Sequence, residues 1–219
     1  MTDIPKPVSA AELADWLRER IRRGRLVPGQ RLVEADISAE TGAGRSKVRE
    51  AFQRLEAEGL VNIEAFRGAS VRRVSIEEIR QIYRARVALE GICAADFTHF
   101  STPEQKTRLF EIQAGLDECV AERAAERFGR LNHDWHKQVI DGSGNQVVRD
   151  LLSRLTAPIN RLLFESFYDK ERLRIANEDH KAITAAIMAG DAAGAEAAMR
   201  RHVEDGFKTL SNIAGEFGA

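Results

Sequence analysis

Between Glu34 and Gly59 the chain reads as a short helix, a tight turn and a longer basic helix, the spacing of a helix-turn-helix. "EADISAETG" is a brief helical run stopped by Gly42, and "GAG" is the turn. "RSKVREAFQRLEAEG" then carries Val48, Ala51, Phe52 and Leu55 on one face. Ser46, Arg49, Glu50 and Gln53 project from the other face, with Arg45 at the N-terminal end. In such a motif the second helix puts its first residues into the DNA major groove. Arginine forks there can donate two hydrogen bonds to guanine or clamp a phosphate. Upstream, "SAAELADWLRERIRRG" opens on Ser9 with Glu12 three residues on, a capping box, and repeats Leu13, Trp16, Leu17 and Ile21 at helical spacing. "VPGQ" reads as a turn. Downstream, "LVNIEAFRGASVRRV" alternates and turns at "RGA", which predicts a two-stranded wing. Gly68 lets its tip approach a phosphate backbone, and Arg67, Arg72 and Arg73 supply charge. A solvated basic helix in an unrelated helical domain would share the helix pattern taken alone.

From about Ser75 onward the text is helical nearly throughout, giving roughly six helices and no convincing strand. Ser75 with Glu78, and Thr102 with Pro103, mark helix starts. "DGSGN" is a break, and Pro158 should kink or interrupt a long helix. The predicted fold class is therefore mainly α: a winged helix-turn-helix over residues 1–74 and an all-α antiparallel bundle over 75–219. The net charge of -1 hides a split, because residues 1–76 hold 14 Lys and Arg against 11 Asp and Glu while the remainder is acidic. That polarity fits a nucleic-acid module joined to something else. No apolar run is long enough for a membrane helix, the N-terminus lacks a signal pattern, and Cys93 and Cys119 form no metal-type pair. A reduced cytoplasm is the expected compartment.

Two of the five histidines fall in "LNHDWHKQVI". At 100° per residue, Phe128, Leu131, Trp135 and Val139 make the apolar face. Asn132 and His136, one turn apart, lie beside that face, Asp134 and Lys137 point away, and His133 sits at the boundary. His180 shares an apolar line with Ile183 and Ile187, and His202 lies within the stripe Ala195, Ala198, Met199, Val203 and Phe207. A lone inward histidine is most often a hydrogen-bonded core residue. Three on three helices suggest a shared divalent metal such as zinc or nickel, since buried imidazole needs a partner and neutral imidazole is a common ligand. Three histidines with an open position also describe catalytic zinc sites, so a metal-dependent hydrolase is an alternative. No HExxH pattern supports it. A pure metal-ion sensor is a further alternative, as is a helical interaction protein that binds no DNA.

The ordered string "PGQRL", Glu34, "KVREAF", "RLEAEGLV" and "RGASV" resembles the winged-helix domain of the GntR superfamily of bacterial transcription regulators. "RVALE", "LNHDWH", "SGN", Glu178 to His180 and the stretch ending at His202 resemble the FCD effector domain of its FadR-type branch, in the VanR-like subgroup. Together the two resemblances cover about residues 10–210. They imply a ligand-responsive repressor of twofold symmetry, a homodimer reading a pseudo-palindromic operator in double-stranded DNA. Arg45, Ser46, Lys47 and Arg49, with Arg67 and Gly68 on the wing, become the DNA-contacting set. Asn132, His136, His180 and His202 become the metal ligands, and Arg86 and Arg161 the candidates for holding a small carboxylate effector. There are departures. Gly44 stands where the family has Ser, Ser46-Lys47 replace Thr-Pro, and Trp135 replaces Phe. Asn132 fills a position where a carboxylate would bind metal more firmly.

Overall fold

A computed structural model describes residues 9–159 and 166–217; the side chains of 22, 158, 209 and 211–217 are not described. The chain divides into two compact units. One runs up to Val74 and includes the turn Ala157–Ile159; the other holds Ser75–Leu155 and the remainder of the chain.

The first unit is built on α1 (Ala10–Arg22), α2 (Glu34–Thr41) and α3 (Arg45–Ala57). The capping box forms as the sequence predicts: the Glu12 N–H donates to Ser9 Oγ at 3.1 Å, and the Ser9 N–H donates to Glu12 Oε2 at 2.9 Å. Leu13, Leu17, Val48, Ala51, Leu55 and Val61 are buried in one core, which fixes α1 against α3. Trp16 is only half-buried, with the Arg20 guanidinium stacked 4.4 Å from its ring. Gly42 ends α2 in a left-handed conformation at φ 74°, and Gly44 caps α3 without a side chain to accept its free N–H groups.

The wing is larger than the expected pair of strands. β2 (Val61–Glu64) and β3 (Gly68–Val71) pair antiparallel as predicted, and β1 (Arg31–Leu32) adds on the far side of β3, in the order β1-β3-β2. Leu32 is buried in this third strand and Arg31 exposed. Two residues are too few to show an alternation, so the strand does not stand out from the turn before it.

The second unit is helical: α4 (Ile76–Phe100), α5 (Pro103–Glu122), α6 (Ala125–Gly142), α7 (Gln146–Thr156), α8 (Lys170–Met188) and α9 (Ala192–Phe217). α9 packs most extensively on α4 and next on α8, while α5 lies between α6 and α8. The Thr102–Gln105 capping box with Pro103 at the first turn starts α5, and Asp169 starts α8 by accepting from the Arg172 N–H at 2.9 Å. Gly142 is needed where α6 meets α4, because a Cβ there would come within 2.4 Å of the Phe97 ring. Near Pro158 the helix α7 stops at Thr156 and tightens into a short 3-10 turn, Ala157–Ile159. Among the described residues, no helix is long and apolar enough to cross a membrane.

Candidate metal centre and DNA interface

α6, α8 and α9 bring His136, His180 and His202 together with all their ligand atoms within 4.8 Å of one another. Each histidine faces inward for the reason the sequence gives: it replaces an apolar residue on a helix face that packs. His180 is fully buried and His202 nearly so, whereas His133 is exposed. The Trp135 indole stacks on His180 at 4.4 Å and donates its N–H to Thr184 Oγ1 at 3.3 Å, so the larger ring both fits and satisfies its polar atom.

Two of the three rings are oriented by carboxylates. His136 Nδ1 lies 2.8 Å from Glu90 Oε2, and His202 Nδ1 lies 3.2 Å from Asp179 Oδ2. A carboxylate at Nδ1 holds the proton there and turns Nε2 inward as a lone pair. The two Nε2 atoms face each other at 3.3 Å. Neither has a proton to give the other when both rings are neutral. Burial lowers the His202 pKa to about 4, partly offset by the bond from Asp179, and pushes His180 well below the ordinary histidine range, aided by the neighbouring His202 and His136. Both nitrogens of His180 and the Oδ1 of Asn132 are buried with no hydrogen-bond partner. Two ligands of one ion at about 2.0–2.1 Å stand about 3.0–3.4 Å apart, so the Nε2 pair has the spacing of adjacent ligands. The donor set, the orphaned atoms and the spacing fit a divalent metal, and this cluster could hold one.

A small cavity adjoins the cluster, lined by Asn132, His136 and His202 on one side and by Tyr83, Arg86, Phe167 and Arg172 on the other. Its free volume is about 20 Å³, room for about one water. Arg86 is buried and donates Nε–H to Glu90 Oε1 at 2.7 Å, leaving its Nη1 unpartnered. Burial alone would raise the Glu90 carboxyl, but Arg86 and His136 together hold it down at about 2. Arg172 is buried as well, with Nε and Nη1 unpartnered, and burial lowers its pKa. The Tyr83 hydroxyl is buried without an acceptor.

Of the residues singled out in the sequence, Asn132, His136, His202 and Arg86 line this cavity and His180 stands beside it in the histidine cluster; Arg161 lies outside the described residues. Sequence reasoning missed Tyr83, Glu90, Arg172 and Asp179. Arg172 had a signal, since it precedes His180 by eight residues, two turns up the same helix face.

On the first unit, Arg45, Ser46, Lys47 and Arg49 are all exposed along the start of α3, and Arg67 and Gly68 are exposed at the wing. Arg49 donates Nε–H to Glu34 Oε1 at 2.8 Å, and Arg67 pairs with Glu64 at 3.2 Å. These are solvent-facing pairs, which cost little to exchange for phosphate.

The chain matches the family model for the FCD domain over residues 81–205 and that for bacterial regulatory proteins of the gntR family over residues 9–71. The chain belongs to the GntR family. It is 30% identical over 200 residues to a Paenarthrobacter nicotinovorans protein named "Probable D-xylose utilization operon transcriptional repressor", covering 89% of this chain and 85% of the relative. It is 25% identical over 203 residues to the transcriptional repressor RspR of Escherichia coli, covering 91% and 88%. Its fold is similar to that of E. coli McbR/YncC, with TM-score 0.79 and 20% identity over 93% of this chain and 97% of that one. This GntR-family chain is a DNA-binding transcription regulator with an effector-binding FCD domain, and its relatives are regulators rather than enzymes.

Proposed function

We propose that this regulator answers to a small carboxylate held at a divalent metal, and that occupancy of the site alters operator binding. One observation carries the reading: the unpartnered polar groups of the cavity sort by sign. Asn132 Oδ1 and the unprotonated ring nitrogen of each neutral histidine are acceptors, which call for a cation. Arg86, Arg172 and the Tyr83 hydroxyl are donors, which call for an anion. His136, His180 and His202, with Asn132, would hold the metal, and the metal would supply Lewis-acid affinity for a carboxylate oxygen. Arg86 and Arg172 would pair with the same carboxylate, and the Tyr83 hydroxyl would donate to it. Among the described residues, the two carboxylates that touch the histidine cluster, Glu90 and Asp179, already engage Nδ1 atoms. Neither is free as the general base that a hydrolase needs.

Residues 1–74 would form the DNA-reading domain and 75–219 the effector and dimerisation domain, acting in the cytoplasm as a homodimeric repressor on a pseudo-palindromic operator. Arg45, Ser46, Lys47 and Arg49 would meet the major groove, with Arg67 and Gly68 on the flanking backbone. Ligand can act only through unequal affinity for two arrangements of the paired heads. The tightness of the cavity favours a second reading, in which the metal alone is the signal.

A thermal-shift screen of small carboxylates on metal-loaded protein separates the two. The proposal expects a stabiliser whose effect disappears on metal removal and in Arg172→Met. Operator release by metal alone, with no responsive carboxylate, would select the sensor reading.

A further inference from the structure

The tip of the wing carries a residue that the fold does not explain. The strands pair from Val61↔Val71 to Glu64↔Gly68, and the Arg67 N–H donates to the Glu64 carbonyl at 3.1 Å. That closes a β-turn over Glu64–Arg67 with Phe66 at its third position. Phe66 has φ 66°. A β-turn with positive φ at that position asks for Gly or Asn, and a bulky side chain there is an outlier. The side chain is also fully exposed, at 107% of its reference area, so no packing offsets the strain. Arg123, the other non-glycine residue with positive φ among those described, has an ordinary cause: it closes α5 as a left-handed C-cap. Phe66 has no such local role. Strain kept at an exposed aromatic points to a contact made outside the chain.

The surroundings indicate which contact. Arg67 follows directly, and beyond it Gly68 has open space where a Cβ would stand. A bulky ligand can therefore approach the backbone there. The hairpin leaves α3 after only Glu58 to Leu60, so its root is fixed beside the recognition helix. Four residues of strand span about 13 Å, close to the roughly 12 Å width of the major groove. With α3 in that groove, a hairpin of this length would bring its tip to the phosphate ridge and the minor groove behind it.

We infer that Phe66 is an apolar wedge that enters the flanking minor groove and partly unstacks one base step, while Arg67 exchanges Glu64 for a phosphate. Wedges of this chemistry widen and kink minor grooves, and pyrimidine–purine steps give way most easily. Phe66 is then a specificity residue for a TA or CA step at a fixed offset from each half-site, a position at which no hydrogen bond reads the base. The inference deepens the DNA-reading role and rests on it.

The test uses the full-length chain, with operators obtained by selection from random duplexes. 2-Aminopurine is then placed at each flanking step of the selected site. Phe66→Asn is the informative variant, because Asn tolerates the left-handed turn and keeps the hairpin folded. Wild type should raise the fluorescence at one flanking step and select TA or CA there. Phe66→Asn should lose both effects and bind about tenfold more weakly, with the salt dependence of affinity unchanged because no charge is removed. Equal affinity and equal fluorescence for the two proteins would overturn the wedge while leaving DNA binding intact. Failure of the wild-type chain to select any duplex would instead remove the DNA-reading role beneath it.

Discussion

The two functional regions hold their arginines in opposite ways. Arg49 and Arg67 stand in solvent, each tied to a surface glutamate. Arg86 and Arg172 are buried, and donor groups on both find no partner. An exposed pair is worth little and can be swapped for a phosphate at small cost. A buried guanidinium with unused donors is expensive until something anionic arrives. The first arrangement suits a surface that must engage and leave a polyanion. Under the proposed reading, the second suits a pocket that waits for one ligand.

Four variants would break or sharpen that contrast. The largest effect should come from replacing His136 and His202 together with Ala: bound metal should fall from about one ion per chain to none by elemental analysis of untagged protein. Full retention of metal would sink the site. Next, Arg49→Ala should weaken operator binding roughly tenfold to a hundredfold in a gel-shift titration while leaving the melting temperature alone; unchanged affinity would remove α3 as the reading helix. Arg172→Met should act in the reverse sense on the buried side. The ligand-free protein should become more stable by about 1–3 kcal/mol in urea denaturation, and the carboxylate-induced shift should vanish. A destabilised variant would mean that Arg172 is already satisfied. Smallest, Gly44→Ser should add the missing cap to α3 and raise stability by a few tenths of a kcal/mol, read as a small gain in melting temperature.

The fold was legible where local chemistry decides it. Ser9 with Glu12, Ser75 with Glu78, and Thr102 with Pro103 mark helix starts in the sequence, and all three act as such. Gly42 stops α2 for the backbone reason its type implies. The third strand was not legible, because Arg31–Leu32 is defined only by its partner β3, some forty residues away. The candidate site divides along the same line. His136, His180 and His202 announce themselves as polar residues on apolar faces. Arg172 lies about two turns before His180 but among the charged residues that open α8, and the fold shows that α4 and α9 close over it. Glu90 was part of a matched motif, but its task depends on a histidine from α6, 46 residues on. Phe66 was passed over because an exposed aromatic carries no periodicity. Its significance lies in a dihedral angle.

Glu90 links the two halves of the cavity. A single buried carboxylate grips Arg86 with one oxygen and His136 with the other. It is thus a strut between the half of the cavity that attracts an anion and the half that attracts a cation. Under the proposed reading, neither half can settle without informing the other. Linkage then requires that metal sharpen the hold on effector by the same factor as effector sharpens the hold on metal. The regulator would behave as a two-key lock, and a cell short of either key would look the same to it.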